Sequence, residues 1–132
     1  MQRSEALAGA AGLMLSGERE AVERTGEGAW RLREDLASLG GRLQAAIERY
    51  VGGRKGVVDV RRVGAMVGIE VGPFEWDQFV GVKVCERARE HGVILRPLGD
   101  VIVWMPPLNV SEEEVELLGK ATGAAIEEVC ST

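Results

Sequence analysis

Apolar positions along this chain change period several times, and each change marks an element. Residues 4–15 read as a short alanine-rich helix, interrupted at Ser16-Gly17. From about Glu18 to Tyr50 the period is helical. Leu32, Leu36, Leu39, Leu43, Ile47 and Tyr50 fall three or four apart and share one face. Gly26, Gly28 and Gly40-Gly41 weaken that helix, each by roughly 1 kcal/mol relative to alanine, so tertiary packing must help hold it. Val51 to Gly56 breaks it. Val57 to Val63 and Ala65 to Val71 then read as strands about a bend at Gly64, the second ended by Gly72-Pro73. Glu75 to Glu90 reads as a helix with Trp76, Val80, Val84 and Ala88 four apart. His91-Gly92 suits its end, a histidine near the negative pole followed by a glycine free to turn left-handed. Val93–Leu95 and Val101–Trp104 read as strands around Pro97-Leu98-Gly99-Asp100.

The last helix carries the clearest start signal. Ser111 and Glu114 are spaced as a capping box, with Val110 and Val115 placed as the hydrophobic staple. Val115, Leu118, Ala121 or Thr122, Ala125 and Val129 form its inward stripe. The order helix, long helix, strand, strand, helix, strand, strand, helix predicts an α/β (α+β) fold. Its expected form is a small, mostly antiparallel sheet with helices packed on one face. No internal repeat or low-complexity linker interrupts it.

Composition narrows the function classes. At 132 residues the chain suits one core, and 45% hydrophobic with 28% charged residues is ordinary for a globular protein. A net charge of −5 disfavours non-specific nucleic-acid binding. The excess of arginine over lysine, 13 to 3, reads as compositional bias. Cys85 and Cys130 form no CxxC and are expected to be reduced thiols in a cytoplasmic protein. The N-terminal Leu7 to Leu15 run is too small and too soon followed by Glu18-Arg19-Glu20 for a signal peptide, and no apolar run approaches the ~20 residues of a membrane span.

Arg96 is the first candidate for chemistry. Pro97 biases it toward extended backbone, so it belongs to a strand end facing a turn. Its paired donors fit a carboxylate fork. The plainer reading is an arginine paired with a nearby acid or simply solvated, and spacing alone leaves both open. Met105-Pro106-Pro107 marks a rigid exit from the strand. His91 is the sole histidine, a poor basis for a metal site or a catalytic triad. Gly52-Gly53-Arg54-Lys55-Gly56 lacks the spacing and hydroxyl of a P-loop and reads as a flexible connection. Glu112-Glu113-Glu114 favours a helix dipole. Trp30, Trp76 and Trp104 read as core or interface anchors.

Gly92 to Leu118, GVILRPLGDVIVWMPPLNVSEEEVELL, resembles the final strand pair and terminal helix of class III pyridoxal-phosphate-dependent aminotransferases. VRRVGAMVGIEV, Val60–Val71, resembles the strand pair before them, and the long helix resembles the segment joining large and small domains. The resemblance covers nearly the whole chain. Within the class, Arg-Pro-Leu-Gly followed by Met-Pro-Pro is most similar to the adenosylmethionine–8-amino-7-oxononanoate aminotransferases of biotin biosynthesis. Class III enzymes acting on omega-amino substrates share parts of the pattern.

The resemblance implies the small C-terminal domain of fold type I, with residues 1–50 leading from a large domain and 51–132 forming the small domain. It implies pyridoxal 5'-phosphate held by a lysine Schiff base, a homodimer, and amino transfer from S-adenosylmethionine to 8-amino-7-oxononanoate. Arg96 would bind that substrate's carboxylate. The Schiff-base lysine belongs to the large domain, because Lys55, Lys83 and Lys120 do not match its context. The chain is therefore expected to act only with a lysine-bearing large domain in cis or in trans, and to be inactive alone. The competing expectations are the small domain of another class III omega-aminotransferase, and a non-catalytic module binding a small carboxylate or a partner protein.

Overall fold

The structure, a computed structural model, describes residues 26–131, with side chains from Leu32 onward. The expected helix over 4–15, the Glu18 start of the long helix and the Trp30 side chain lie outside the described residues. Helix α1 runs Gly26–Ala46 and passes directly into a π-helical turn, Ile47–Val51. Four strands follow in two pairs: β1 Val57–Val63, β2 Met66–Val71, β3 Arg96–Leu98 and β4 Val101–Trp104. Helix α2, Val80–Glu90, lies between the pairs, and α3, Glu112–Cys130, closes the order. Residues 36–132 form one compact unit that holds the sheet.

The sheet is antiparallel throughout, in the order β1-β2-β4-β3. β2 and β3 therefore run the same way, with β4 inserted between them, and α2 makes the crossover. The expected small antiparallel sheet with helices on one face is what forms. Val67, Ile69, Val71, Ile102 and Trp104 are buried, while the alternating positions between them stay partly or fully exposed. The core lies on the buried face, where Leu39, Leu43 and Ile47 meet Val84, Ala88, Val115 and Ile126. Leu39, Leu43 and Ile47 thus face inward as their spacing predicts, Tyr50 is half-buried, and Leu36 is exposed.

Trp104 is almost fully enclosed, and its indole N–H donates to Thr122 Oγ1 at 2.9 Å. The Thr122 hydroxyl in turn donates to the Leu118 carbonyl at 2.7 Å, so the buried polar atoms are paired. The predicted start of α3 forms in full. Glu114 N–H donates to Ser111 Oγ, and Ser111 N–H to the Glu114 carboxylate, both at 3.1 Å. Val110 and Val115 pack into the core as the staple requires.

Two expectations need correction. The helix predicted over Glu75–Glu90 is split. Trp76–Gln78 is a 3-10 turn closed by its own Glu75/Gln78 capping box, and Phe79 takes a left-handed φ of 49° before α2 begins at Val80. Val80, Val84 and Ala88 are buried as predicted, but Trp76 is 80% exposed and is not a core anchor. The third strand lies at Arg96–Leu98 rather than Val93–Leu95. The end of α2 explains the shift. Gly92, at φ 95°, gives its N–H to Arg89 O, and Val93 N–H returns to Ala88 O, the paired bonds of a Schellman motif. Val93 is thereby tied to the helix. The ladder is then set from the other side by a two-residue turn, Gly99-Asp100, which pairs Leu98 with Val101 and Arg96 with Val103. Pro97 sits within β3, which is tolerated because β3 is an edge strand.

Candidate functional site

Three features fix Arg96 in place. Its strand is closed to β4 by the Gly99-Asp100 turn, and Gly99 takes a φ of 61°, the left-handed value that two-residue hairpins favour. The Asp100 backbone carbonyl accepts from Val71 N–H at 2.9 Å, tying the turn to the end of β2. The Asp100 side chain accepts from Gly81 N–H at 3.4 Å, a long bond to the first turn of α2. Phe79 offers no side-chain cap there, so a residue 19 positions away satisfies part of the helix terminus. Gly81 has no room for a side chain, because an added Cβ would run into the Gly99 carbonyl. The turn is thus seated on a helix N-terminus.

Strand register then places Arg96 on the sheet face opposite the core. Its row across the sheet is Arg96, Val103, Gly68 and Arg61, and the next row is Leu98, Val101, Glu70 and Asp59. Arg96 and Leu98 are exposed, beside the half-buried Val101 and Val103. A mixed groove adjoins this edge, lined by Ile94, Leu95, Val103, Met105 and Leu117 together with Glu114. Among the described residues no carboxylate lies within ion-pair distance of Arg96. Arg49, Arg54, Arg61 and Arg87 are by contrast each held by an acid: Glu116, Glu127, Asp59 and Glu90, respectively. A guanidinium beside apolar surface, with its fork unspent, can hold a carboxylate carried on an aliphatic chain.

The other sequence candidates have structural explanations. His91 Nε2 lies 2.9 Å from Glu128 Oε1, joining the end of α2 to α3. No group of three or more metal-binding side chains occurs among the described residues. The Glu112-Glu113-Glu114 run fills the first turn of α3, and the Ser111 cap holds the Glu114 carboxyl below its ordinary range. Arg54 of the glycine-rich segment donates to Tyr50 O and pairs with Glu127, which makes it a structural tie. Cys85 and Cys130 are free thiols. Burial pushes Cys85 up to about 11, and burial raises Cys130 as well. No helix among the described residues is long and apolar enough to cross a membrane. Sequence reasoning missed the seating of the turn on α2. The aspartate and the glycine that make it are in plain view, but only the fold brings them together.

The resemblance implies a lysine bound to pyridoxal phosphate, and the three lysines can be tested for that role. Lys55, Lys83 and Lys120 are all exposed on the surface. The Lys120 ammonium lies 5.9 Å from the centre of the Tyr50 ring, where it makes a cation–π contact. A cofactor lysine needs a desolvated pocket, and none of the three has one. These residues do not by themselves fit the cofactor.

Similarity to known proteins agrees with this picture. The aminotransferase class-III family matches residues 27–126. The adenosylmethionine-8-amino-7-oxononanoate aminotransferase of Geobacter sulfurreducens is 48% identical over 69 residues, 47% of this chain and 15% of that protein. Its namesake in Aquifex aeolicus is 40% identical over 115 residues, 81% of this chain and 23% of that protein. The crystal structure of the Methanocaldococcus jannaschii enzyme of the same name superposes with a TM-score of 0.71 at 29% identity. It covers 83% of this chain and 25% of that one. The chain thus spans about a quarter or less of the length of these relatives. The cofactor of the class is pyridoxal 5'-phosphate. On this similarity and this fold, the chain belongs to the class III aminotransferase family.

Proposed function

We propose that this chain is the substrate-carboxylate-binding small domain of an adenosylmethionine–8-amino-7-oxononanoate aminotransferase. It works with a lysine-bearing portion of the class III fold supplied in cis or in trans. On this reading residues 1–50 lead from that portion and 51–132 form the domain. Pyridoxal phosphate, when bound there, supplies the electron sink for amino transfer. This chain's own part is to bind and orient. Arg96 grips the 8-amino-7-oxononanoate carboxylate, while Val101, Val103 and Leu98 offer apolar surface to its aliphatic chain.

The observation that carries this reading is Arg96 itself. It has no acid partner among the described residues, it is held at a fixed edge, and it lies beside apolar side chains. The choice within the class rests on relatives of that name at 40–48% identity. A gamma-aminobutyrate transaminase and acetylornithine aminotransferases match at 29–33%. The test is reconstitution. The chain alone gives no amino transfer from S-adenosylmethionine, and mixing it with a lysine-bearing large domain of the class gives activity that needs both. No activity on mixing, or full activity of the large domain alone, contradicts the proposal. A second measurement addresses the lysines. Borohydride reduction of the chain incubated with pyridoxal phosphate leaves no stoichiometric pyridoxyl-lysine, and one fully labelled lysine would refute the assignment.

A further inference from the structure

We infer that Tyr50 is a positioning residue for amino transfer: seated in a slot on α3, it fixes the direction of the Leu36–Ala46 part of α1 relative to the strand that carries Arg96. This inference rests on the function proposed above, in which α1 belongs to the segment leading from the lysine-bearing portion. Helix α1 ends in a π-helical turn, closed by the bond from Gly52 N–H to Ile47 O at 2.7 Å. Such turns are rare and redirect the chain that follows them. Here the turn delivers Tyr50 to α3. Its ring lies against Gly119, where an added Cβ would come within 2.7 Å of Tyr50 Cδ2. Its carbonyl lies against Gly123, where an added Cβ would collide with it. The two glycines are four apart and share one face of α3. Each weakens the helix by about 1 kcal/mol relative to alanine, so the slot is kept against helix propensity.

Polar bonds hold Tyr50 in the slot. Its hydroxyl donates to the Glu116 carboxylate, which also accepts from Arg49 Nη1. The Tyr50 hydroxyl, foremost, and Arg49 hold the Glu116 carboxyl below the usual carboxylate range, so the acceptor stays charged. Arg54 donates to the Tyr50 carbonyl and pairs with Glu127. Glu116, Gly119, Gly123 and Glu127 thus run three or four apart along one face of α3, all engaged from the turn and the residues just after it. A satisfied polar network specifies one arrangement, whereas the apolar stripe of Leu39, Leu43 and Ile47 by itself tolerates small shifts. Helix α3 is in turn bonded to β4 through Thr122 and Trp104, and β4 pairs with β3 at Arg96. The end of α1 and Arg96 therefore belong to one frame. Amino transfer needs the carbonyl of a substrate gripped by Arg96 to meet the lysine of the other portion in near-attack geometry. A misplacement of about 1 Å costs roughly 100-fold in rate. The grip on the carboxylate is local to the hairpin and does not need the joint.

The test compares wild type, Tyr50→Leu and Tyr50→Phe in the reconstituted enzyme, on 8-amino-7-oxononanoate and on its methyl ester. Tyr50→Leu should lower kcat about 10- to 100-fold, equally on both substrates, with KM for the acid within about twofold of wild type. That is the reverse of the loss expected on removing the Arg96 side chain. Tyr50→Phe keeps the ring in the slot and loses only the hydroxyl bond, so kcat should fall about two- to tenfold. It decides the matter should Tyr50→Leu fail to fold by circular dichroism. A second measurement reads position without activity. Spin labels at Ser38→Cys and Val58→Cys, both exposed positions, in a Cys85→Ala/Cys130→Ala chain report the distance from α1 to β1. A single narrow distance with Tyr50 in place should broaden or shift in Tyr50→Leu. An unchanged kcat in the folded variants, a loss confined to KM, or an unchanged distance in folded Tyr50→Leu would overturn this inference while the proposed function stands. An inactive wild-type mixture would instead overturn the proposed function and this role together.

Discussion

Gly81 and Gly123 are positions where the fold leaves no room for a methyl group. At Gly81 the obstacle is the Gly99 carbonyl, and at Gly123 it is the Tyr50 carbonyl with the Arg54 side chain beside it. Both obstacles belong to backbone that is itself held, so an alanine cannot be accommodated by a rotamer change. Gly81→Ala and Gly123→Ala are each expected to lower unfolding free energy by about 1–3 kcal/mol, measured by urea denaturation. Gly41→Ala is the contrast. It lies in α1 with nothing near an added Cβ, so it should stabilise by up to about 1 kcal/mol. Gly81 and Gly123 are visible in the sequence, but nothing local distinguishes a glycine required by close approach from one merely tolerated. Cys85 gives a pH signature. The fold favours its neutral thiol, with ionisation displaced from an ordinary 9.0 to about 11. The unfolded chain ionises first, so this contribution is present below pH 9 and lost as pH rises toward 11. Thermal stability should fall across that window more steeply in the wild type than in Cys85→Ala, and the thiol should react slowly with iodoacetamide until the chain is denatured.

At the scale of elements, local signals were read correctly where their chemistry closes within a few residues. The Ser111/Glu114 box and the His91-Gly92 stop both form from neighbours in sequence. Ser111→Ala should cost about 1 kcal/mol, and the loss should appear as faster amide exchange in the first turn of α3. Hydrophobic periodicity misplaces an element where another bonding pattern overrides it. Periodicity carried the second helix back to Glu75, but the turn there closes on its own capping box and Phe79 reverses the backbone. Hydrophobicity marks Val93–Leu95 as the third strand, while the Schellman bonds and the hairpin register put the pairing at Arg96–Leu98. The Trp104–Thr122 bond, from β4 to α3, is by contrast a long-range fact. Thr122→Val should leave the indole N–H unpaired in the core and cost about 1–3 kcal/mol.

At the scale of the molecule, the helices among the described residues pack on one face of the sheet, and register carries Arg96 to the other. The arginine was the first candidate in the sequence, yet spacing could not separate a ligand grip from an ordinary ion pair. The structure contributes that no acid partner lies near it among the described residues, and that its hairpin is seated on α2. The family supplies the ligand's identity as a proposal. The most direct test is steady-state kinetics of the reconstituted enzyme, comparing wild type with Arg96→Ala on 8-amino-7-oxononanoate and on its methyl ester. Arg96→Ala should raise KM for the acid by about 10- to 100-fold with kcat little changed, and should barely affect the ester, which carries no charge to hold. Equal losses on acid and ester, or an unchanged KM for the acid, would contradict the assignment of Arg96 as the carboxylate grip.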